Sequence, residues 1–87
     1  MEQQRPEPNT GRALRRELAL VKVIAAGARQ DAALDVVGSW SGRLLELSPS
    51  FFTAELAGEP DRLTFFIDAL TPFGTVTALR SGVVSLD

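Results

Sequence analysis

Between Leu18 and Ala26 the chain is apolar on both sides of an extended backbone, and this stretch restricts the fold more than any other. At the two-residue period of a strand, Leu18, Leu20, Lys22 and Ile24 fall on one side and Ala19, Val21, Val23 and Ala25 on the other. A strand apolar on both sides belongs in the middle of a sheet, with helices over at least one face. Lys22 decides which face that is. A buried ammonium is costly unless paired, so the side carrying Lys22 points away from the helices and Val21 and Val23 pack beneath them. Leu18, Leu20 and Ile24 then lie on a face that no helix of this chain covers.

The rest of the pattern supplies the partners of that strand. After Gly27 the spacing becomes helical, with Ala33, Leu34, Val37 and Trp40 recurring at three and four residues, and Ser41-Gly42 ends the helix. Arg43 to Ser48 read as a strand, with Leu45 and Leu47 on one face and Leu44 and Glu46 on the other. Pro49-Ser50 turns the chain into a partner strand from Phe51 to Ala57. Gly58-Glu59-Pro60 starts a second helix, since proline suits the first turn and Glu59 and Asp61 favour its positive end. Leu63, Phe66, Ile67 and Leu70 form its apolar stripe. Thr71-Pro72-Phe73-Gly74 stops it, and Thr75 to Arg80 form a last strand, interrupted at Ser81-Gly82 by a bulge or bend. Strand, helix, strand, strand, helix, strand is the order of the ferredoxin-like split βαβ arrangement. The expected class is therefore α+β, a βαββαβ sandwich with an antiparallel sheet. Right-handed crossovers put both helices on one sheet face and leave the other bare.

Composition sharpens the point. Residues 1–14 hold prolines, Asn9, Gly11 and several charges but few apolar side chains, and read as a disordered tail or linker, which leaves residues 15–87 as one domain. A domain of that size is marginal alone and usually draws stability from a disulfide, a metal or a partner. The 87 residues include no Cys and no His, so disulfides and the usual zinc ligands are out, and self-association is the expected source, most simply as a homodimer. With 9 basic and 11 acidic residues the net charge is −2, which disfavours nucleic acid and anionic lipid. No apolar run approaches the roughly 20 residues of a membrane span, and the polar opening is not a signal peptide, so the expected location is cytoplasmic.

Several segments, in order, resemble one family. They are Arg16-Glu17-Leu18-Ala19-Leu20-Val21-Lys22 at the start, Gly58-Glu59-Pro60-Asp61-Arg62-Leu63 ahead of the second helix, Pro72-Phe73-Gly74 before the last strand, and Arg80-Ser81-Gly82 after it. From about Arg16 to Leu86 the chain is similar to the carboxy-terminal domain of the small, regulatory subunit of acetohydroxyacid synthase (acetolactate synthase), with Ser81 where that family more often has Thr. The resemblance implies a non-catalytic, ACT-like domain of branched-chain amino-acid biosynthesis. It also implies a catalytic subunit as partner, in which thiamine-diphosphate chemistry condenses pyruvate with a second 2-ketoacid. In the family an amino-terminal ACT domain binds the feedback amino acid. Such a domain is absent from these 87 residues, so they are not expected to confer valine inhibition by themselves.

Candidate sites are few. Without His or Cys the usual nucleophilic constellations are excluded, and no catalytic residue, cofactor or metal is assigned. Lys22 is read as an ion pair or hydrogen bond on the open face, with Glu55 as preferred partner, in place of a Schiff-base lysine. Asp31 and Asp35 are one helical turn apart, but two carboxylates make a poor cation site and read as a solvated face. Arg12, Arg15 and Arg16 form a basic cluster at the tail boundary, either a solubilising connector or a contact for an acidic partner surface. Because ACT-like domains let ligands approach the turn between first strand and first helix, Gly27, Ala28, Arg29 and Gln30 are the candidate ligand positions. The expected interface is Leu18, Leu20, Lys22 and Ile24 with Leu44, Phe51, Glu55 and Leu79.

Three functions compete. The first is an accessory domain that pairs with itself and contacts the acetohydroxyacid synthase catalytic subunit. The second is a stand-alone ACT-like sensor binding an amino acid near Gly27. The third, an RNA-recognition module of the same element order, is poorly served by a negative chain with Phe51 as its sole stacking residue.

Overall fold

The computed structural model describes residues 14–87. Strand β1 (Leu14–Ile24) leads into helix α1 (Gly27–Ser39), strands β2 (Arg43–Leu47) and β3 (Phe51–Gly58), helix α2 (Pro60–Leu70), a 3-10 turn (Thr71–Phe73), and strands β4 (Thr75–Arg80) and β5 (Val84–Leu86). The sheet order is β2-β3-β1-β4, with β5 pairing the start of β1, and every pairing is antiparallel. β1 is thus central, as its two apolar sides require. Each helix joins two strands that run the same way with a third between them, the expected split βαβ order.

The core lies between the sheet and its two helices. Ala19, Val21, Val23, Phe52 and Ala54 are wholly buried from the sheet, and Ala33, Leu63, Phe66 and Leu70 from the helices, with Val37 nearly so. Leu34, Ile67, Phe73 and Trp40 close the margin. Trp40 caps α1, its ring 6.0 Å from that of Phe66, while the Arg62 guanidinium lies 5.0 Å over the indole and donates to the Trp40 carbonyl at 2.8 Å. Pro60 occupies the first turn of α2 with Asp61 beside it, and the buried set Leu63, Phe66 and Leu70 follows the expected stripe. Between the 3-10 turn and β4 the backbone passes so close to β1 that a Cβ on Gly74 would run into the Ile24 carbonyl oxygen. Pro72-Phe73-Gly74 is therefore more than a helix stop, because glycine lets β4 enter the sheet beside β1.

Two boundaries differ from expectation. β1 begins at Leu14 and not at Leu18, because Leu14, Arg15 and Arg16 pair with Leu86, Ser85 and Val84. The break at Ser81-Gly82 is real, but the chain rejoins β1 beyond it as β5. Leu14 therefore belongs to the sheet, and residues 1–13 of the expected tail lie outside the described residues. The paired ends form a short two-stranded arm, and the long axis measures 50 Å against 25 and 19 Å.

Candidate functional site: the open sheet face

Alternation along β1 builds this face. Glu17, Ala19, Val21 and Val23 turn towards the helices and are buried, whereas Leu14, Arg16, Leu18, Leu20, Lys22 and Ile24 turn away and are exposed. Residues directly opposite in an antiparallel pair share a face, so the register names the neighbours. Phe51, Thr53, Glu55 and Ala57 of β3 stand opposite Ile24, Lys22, Leu20 and Leu18. Thr77 and Leu79 of β4 stand opposite Lys22 and Leu20, and Val84 and Leu86 of β5 opposite Arg16 and Leu14. Leu18 and Leu20 are each 38% exposed, Ile24 51% and Leu79 70%. A shallow depression lined by Leu20, Lys22, Thr53, Thr77 and Leu79 lies at its centre, and another, lined by Leu18, Ala57, Ser81 and Val84 among others, lies at the base of the arm.

The polar groups are arranged around this stripe. Lys22 Nζ sits 4.5 Å from the centre of the Phe51 ring, a cation–π contact, and not on Glu55 as expected. The register explains the correction, since Lys22 is opposite Thr53 while Glu55 is opposite Leu20 and reaches Arg43 across β2 at 3.9 Å. The Thr53 hydroxyl donates to Glu46 at 3.0 Å. Leu44 is a second correction. It stands opposite the buried Ala54, on the helix side of β2, because an irregularity between Leu44 and Glu46 shifts the alternation and turns Arg43 and Glu46 to the open side. Leu18, Leu20, Lys22, Ile24, Phe51, Glu55 and Leu79 are brought together on one face; Leu44 is not.

Gly27–Gln30 lie at the opposite layer, at the start of α1. Gly27 has φ +60°, a conformation that favours glycine, and Ala28 and Arg29 are exposed. The Gln30 side chain turns inward and donates both amide hydrogens, to the Ala25 carbonyl at 3.1 Å and the Ser48 carbonyl at 2.7 Å. It ties α1 to the β2–β3 turn, leaving no amide donor for a ligand. Asp31 and Asp35 are exposed, and among the described residues no group of three or more potential acidic ligands converges.

Sequence reasoning gave no role to Glu17 and Arg80, which form a latch where the arm leaves the domain. Arg80 grips the Glu17 carboxylate with two nitrogens, Nε at 3.2 Å and Nη2 at 2.8 Å. The same guanidinium donates to the Pro60 carbonyl and the Thr64 hydroxyl, both at 2.8 Å, so it also holds the start of α2. The Gly82 N–H donates to Glu17 at 3.2 Å, and the Ser81 hydroxyl accepts from the Leu18 N–H at 3.0 Å. The Arg80 hydrogen bonds hold the Glu17 carboxyl below the usual carboxylate range against the opposing effect of burial, with the Gly82 N–H and the Arg80 charge adding to them; Arg80 is raised in turn. One signal was available: Glu17 falls in the same alternation as Ala19, Val21 and Val23, where a carboxylate needs a cation, and Arg80 ends the neighbouring strand.

Among the described residues the fold is a latched α+β sandwich of ferredoxin-like order with one apolar sheet face left bare. Residues 16–87 match the family model described as the small subunit of acetolactate synthase. The chain belongs to that family. It is 35% identical over 72 residues to the acetolactate synthase small subunit of Aquifex aeolicus, covering 82% of this chain and 38% of that protein. It is 32% identical over 80 residues to the small subunit from Mycobacterium leprae, covering 92% and 47%. With the isozyme 3 small subunit of Salmonella typhimurium it shares 31% over 81 residues, covering 92% and 50%. The chain thus spans half or less of these relatives. The crystal structure of the Thermotoga maritima small subunit superposes with a TM-score of 0.76 over 92% of this chain and 49% of that one, at 24% identity, which shows a shared fold.

Proposed function

We propose that this chain is a non-catalytic accessory domain for an acetolactate synthase, acting in the cytoplasm, which pairs with itself through the open sheet face and contacts the catalytic subunit. Thiamine-diphosphate chemistry would belong to that other subunit. One observation carries the reading: Leu14, Leu18, Leu20, Ile24, Leu79, Val84 and Leu86 stand exposed on one continuous side of the sheet, while the residues of β1 and β3 that turn to the other side from Glu17 onward are buried beneath the helices. At about 25 cal/mol per Å² of apolar surface, covering roughly 200 to 300 Å² on each of two copies is worth about 10 to 15 kcal/mol before the cost of association is subtracted. That is comparable with the whole stability of a domain this small. Among the described residues no helix is long and apolar enough to cross a membrane, so a membrane-spanning helix does not account for the exposed stripe.

The direct test mixes the chain with an acetolactate synthase catalytic subunit from the same source, following complex formation by sedimentation and turnover by product release. A complex with raised turnover is the expected result. Separate boundaries and unchanged turnover would remove the accessory role.

A further inference from the structure

The open face carries charges as well as apolar side chains, and their places limit how two copies can meet on it. Resting on the reading that this face self-associates, we propose that two copies pack face to face about a two-fold axis crossing the strands at the level of Leu18. Arg16 of each copy then faces the partner's Leu20 with the partner's Glu55 one strand to the side, and Val84 of each arm covers the partner's Leu79.

The argument is one of registers. For two identical sheets packed about 10 Å apart, the two limiting directions of a two-fold axis run along the strands and across them. An axis along β1 sets every β1 residue against its own copy, placing Arg16 over Arg16 and Lys22 over Lys22, and like charges in apposition oppose docking. An axis across the strands keeps their order, with β3 over β3, and reverses their direction. At the level of Leu20 it would bring the two Glu55 carboxylates together, because Glu55 is the cross-strand neighbour of Leu20. Moved to Leu18, midway between Arg16 and Leu20, it exchanges those two levels. Glu55 then lies towards an arginine that has no ion pair among the described residues.

The same operation exchanges the levels of Val84 and Leu79, the neighbours of Arg16 and Leu20 on the other side of β1. These side chains are each 70% exposed, and the exchange sets one against the other. Leu18 meets its own copy beside the small Ala57, and Leu14 meets the partner's Lys22, whose aliphatic stem presents apolar surface. The arm thereby gains a role. Three residue pairs of two-stranded ribbon are marginal in water, and a second copy covers them.

Sedimentation of the 87-residue chain over a concentration series tests this, with circular dichroism confirming that each variant is folded. The unaltered chain should dimerise. Arg16→Glu and Glu55→Arg should each raise the dimer dissociation constant by roughly tenfold or more, while the two together restore it to within about threefold. Val84→Asp should weaken the dimer comparably. If Leu20→Asp disrupts the dimer but the double reversal gives no rescue and Val84→Asp has no effect, the axis proposed here is wrong and the face reading survives. A chain that stays monomeric at every concentration overturns the face reading and this proposal with it.

Discussion

The two sides of β1 are made from the same kinds of residue and meet opposite fates. Ala19, Val21 and Val23 are wholly buried beneath the helices, whereas Leu18, Leu20 and Ile24, interleaved with them, remain between 38% and 51% exposed. Hydrophobicity does not separate the two sets. What separates them is Lys22, together with the handedness that confines both helices to one face. On the proposed reading the exposed set is the surface that a partner covers. The sharpest way to break this contrast is to truncate a side chain on each side. Phe66→Ala, under the helices, should lower unfolding free energy by about 3 to 5 kcal/mol in urea titrations. Leu20→Ala should change the stability of the dilute monomer by less than about 1 kcal/mol. Equal losses would mean that Leu20 is part of this chain's own core.

A smaller effect is expected where the two sides meet, at the latch. Glu17 lies on the buried side of β1 only because Arg80 and Gly82 satisfy its carboxylate. Its carboxyl is held below the usual range in the folded state by Arg80. The contribution of a carboxyl whose folded pKa is lowered is fully present above its unfolded pKa and fades as pH falls through the folded one. Thermal unfolding of the unaltered chain should therefore show an acid-side loss of Tm, and Glu17→Gln should lower Tm at neutral pH while flattening that loss. Arg80→Lys should also lower Tm, since one ammonium cannot reproduce the two-nitrogen grip on Glu17 and the contacts to Pro60 and Thr64. An unchanged acid profile in Glu17→Gln would assign the loss to other carboxylates.

How far the sequence disclosed this depended on whether a signal was local. The faces of β1, the stripe of α2 and the element order were all readable, because each is an alternation or a period within one segment. The bare face followed from one lysine and one rule of handedness. What escaped was set by pairing between distant segments. The arm joins Leu14–Arg16 to Val84–Leu86, and no alternation or period within either three-residue end announces that the two pair. Simple alternation in β2 puts Leu44 on the same side as Glu46, and only the register with β3 exposes the irregularity before Glu46 that separates them. Topology alone brings Glu55 near Lys22, and a register in which Lys22 stands opposite Thr53 gives that lysine to Phe51 instead.

That last contact gives the smallest effect on stability and the finest test of the contrast between the two faces. If the open side is interaction surface, Lys22 need not contribute much to folding, and its cation–π contact with Phe51 should be worth about 0.5 to 1 kcal/mol at an exposed site. Lys22→Met keeps the stem and removes the charge, so urea titrations should show a loss no larger than that. It should tighten self-association in the same solution, because an ammonium no longer has to lose water when the face is covered. The two measurements move in opposite directions only for a residue that limits the docking of a surface without holding up the fold. A loss of stability with no gain in association would place Lys22 among the supports of the fold.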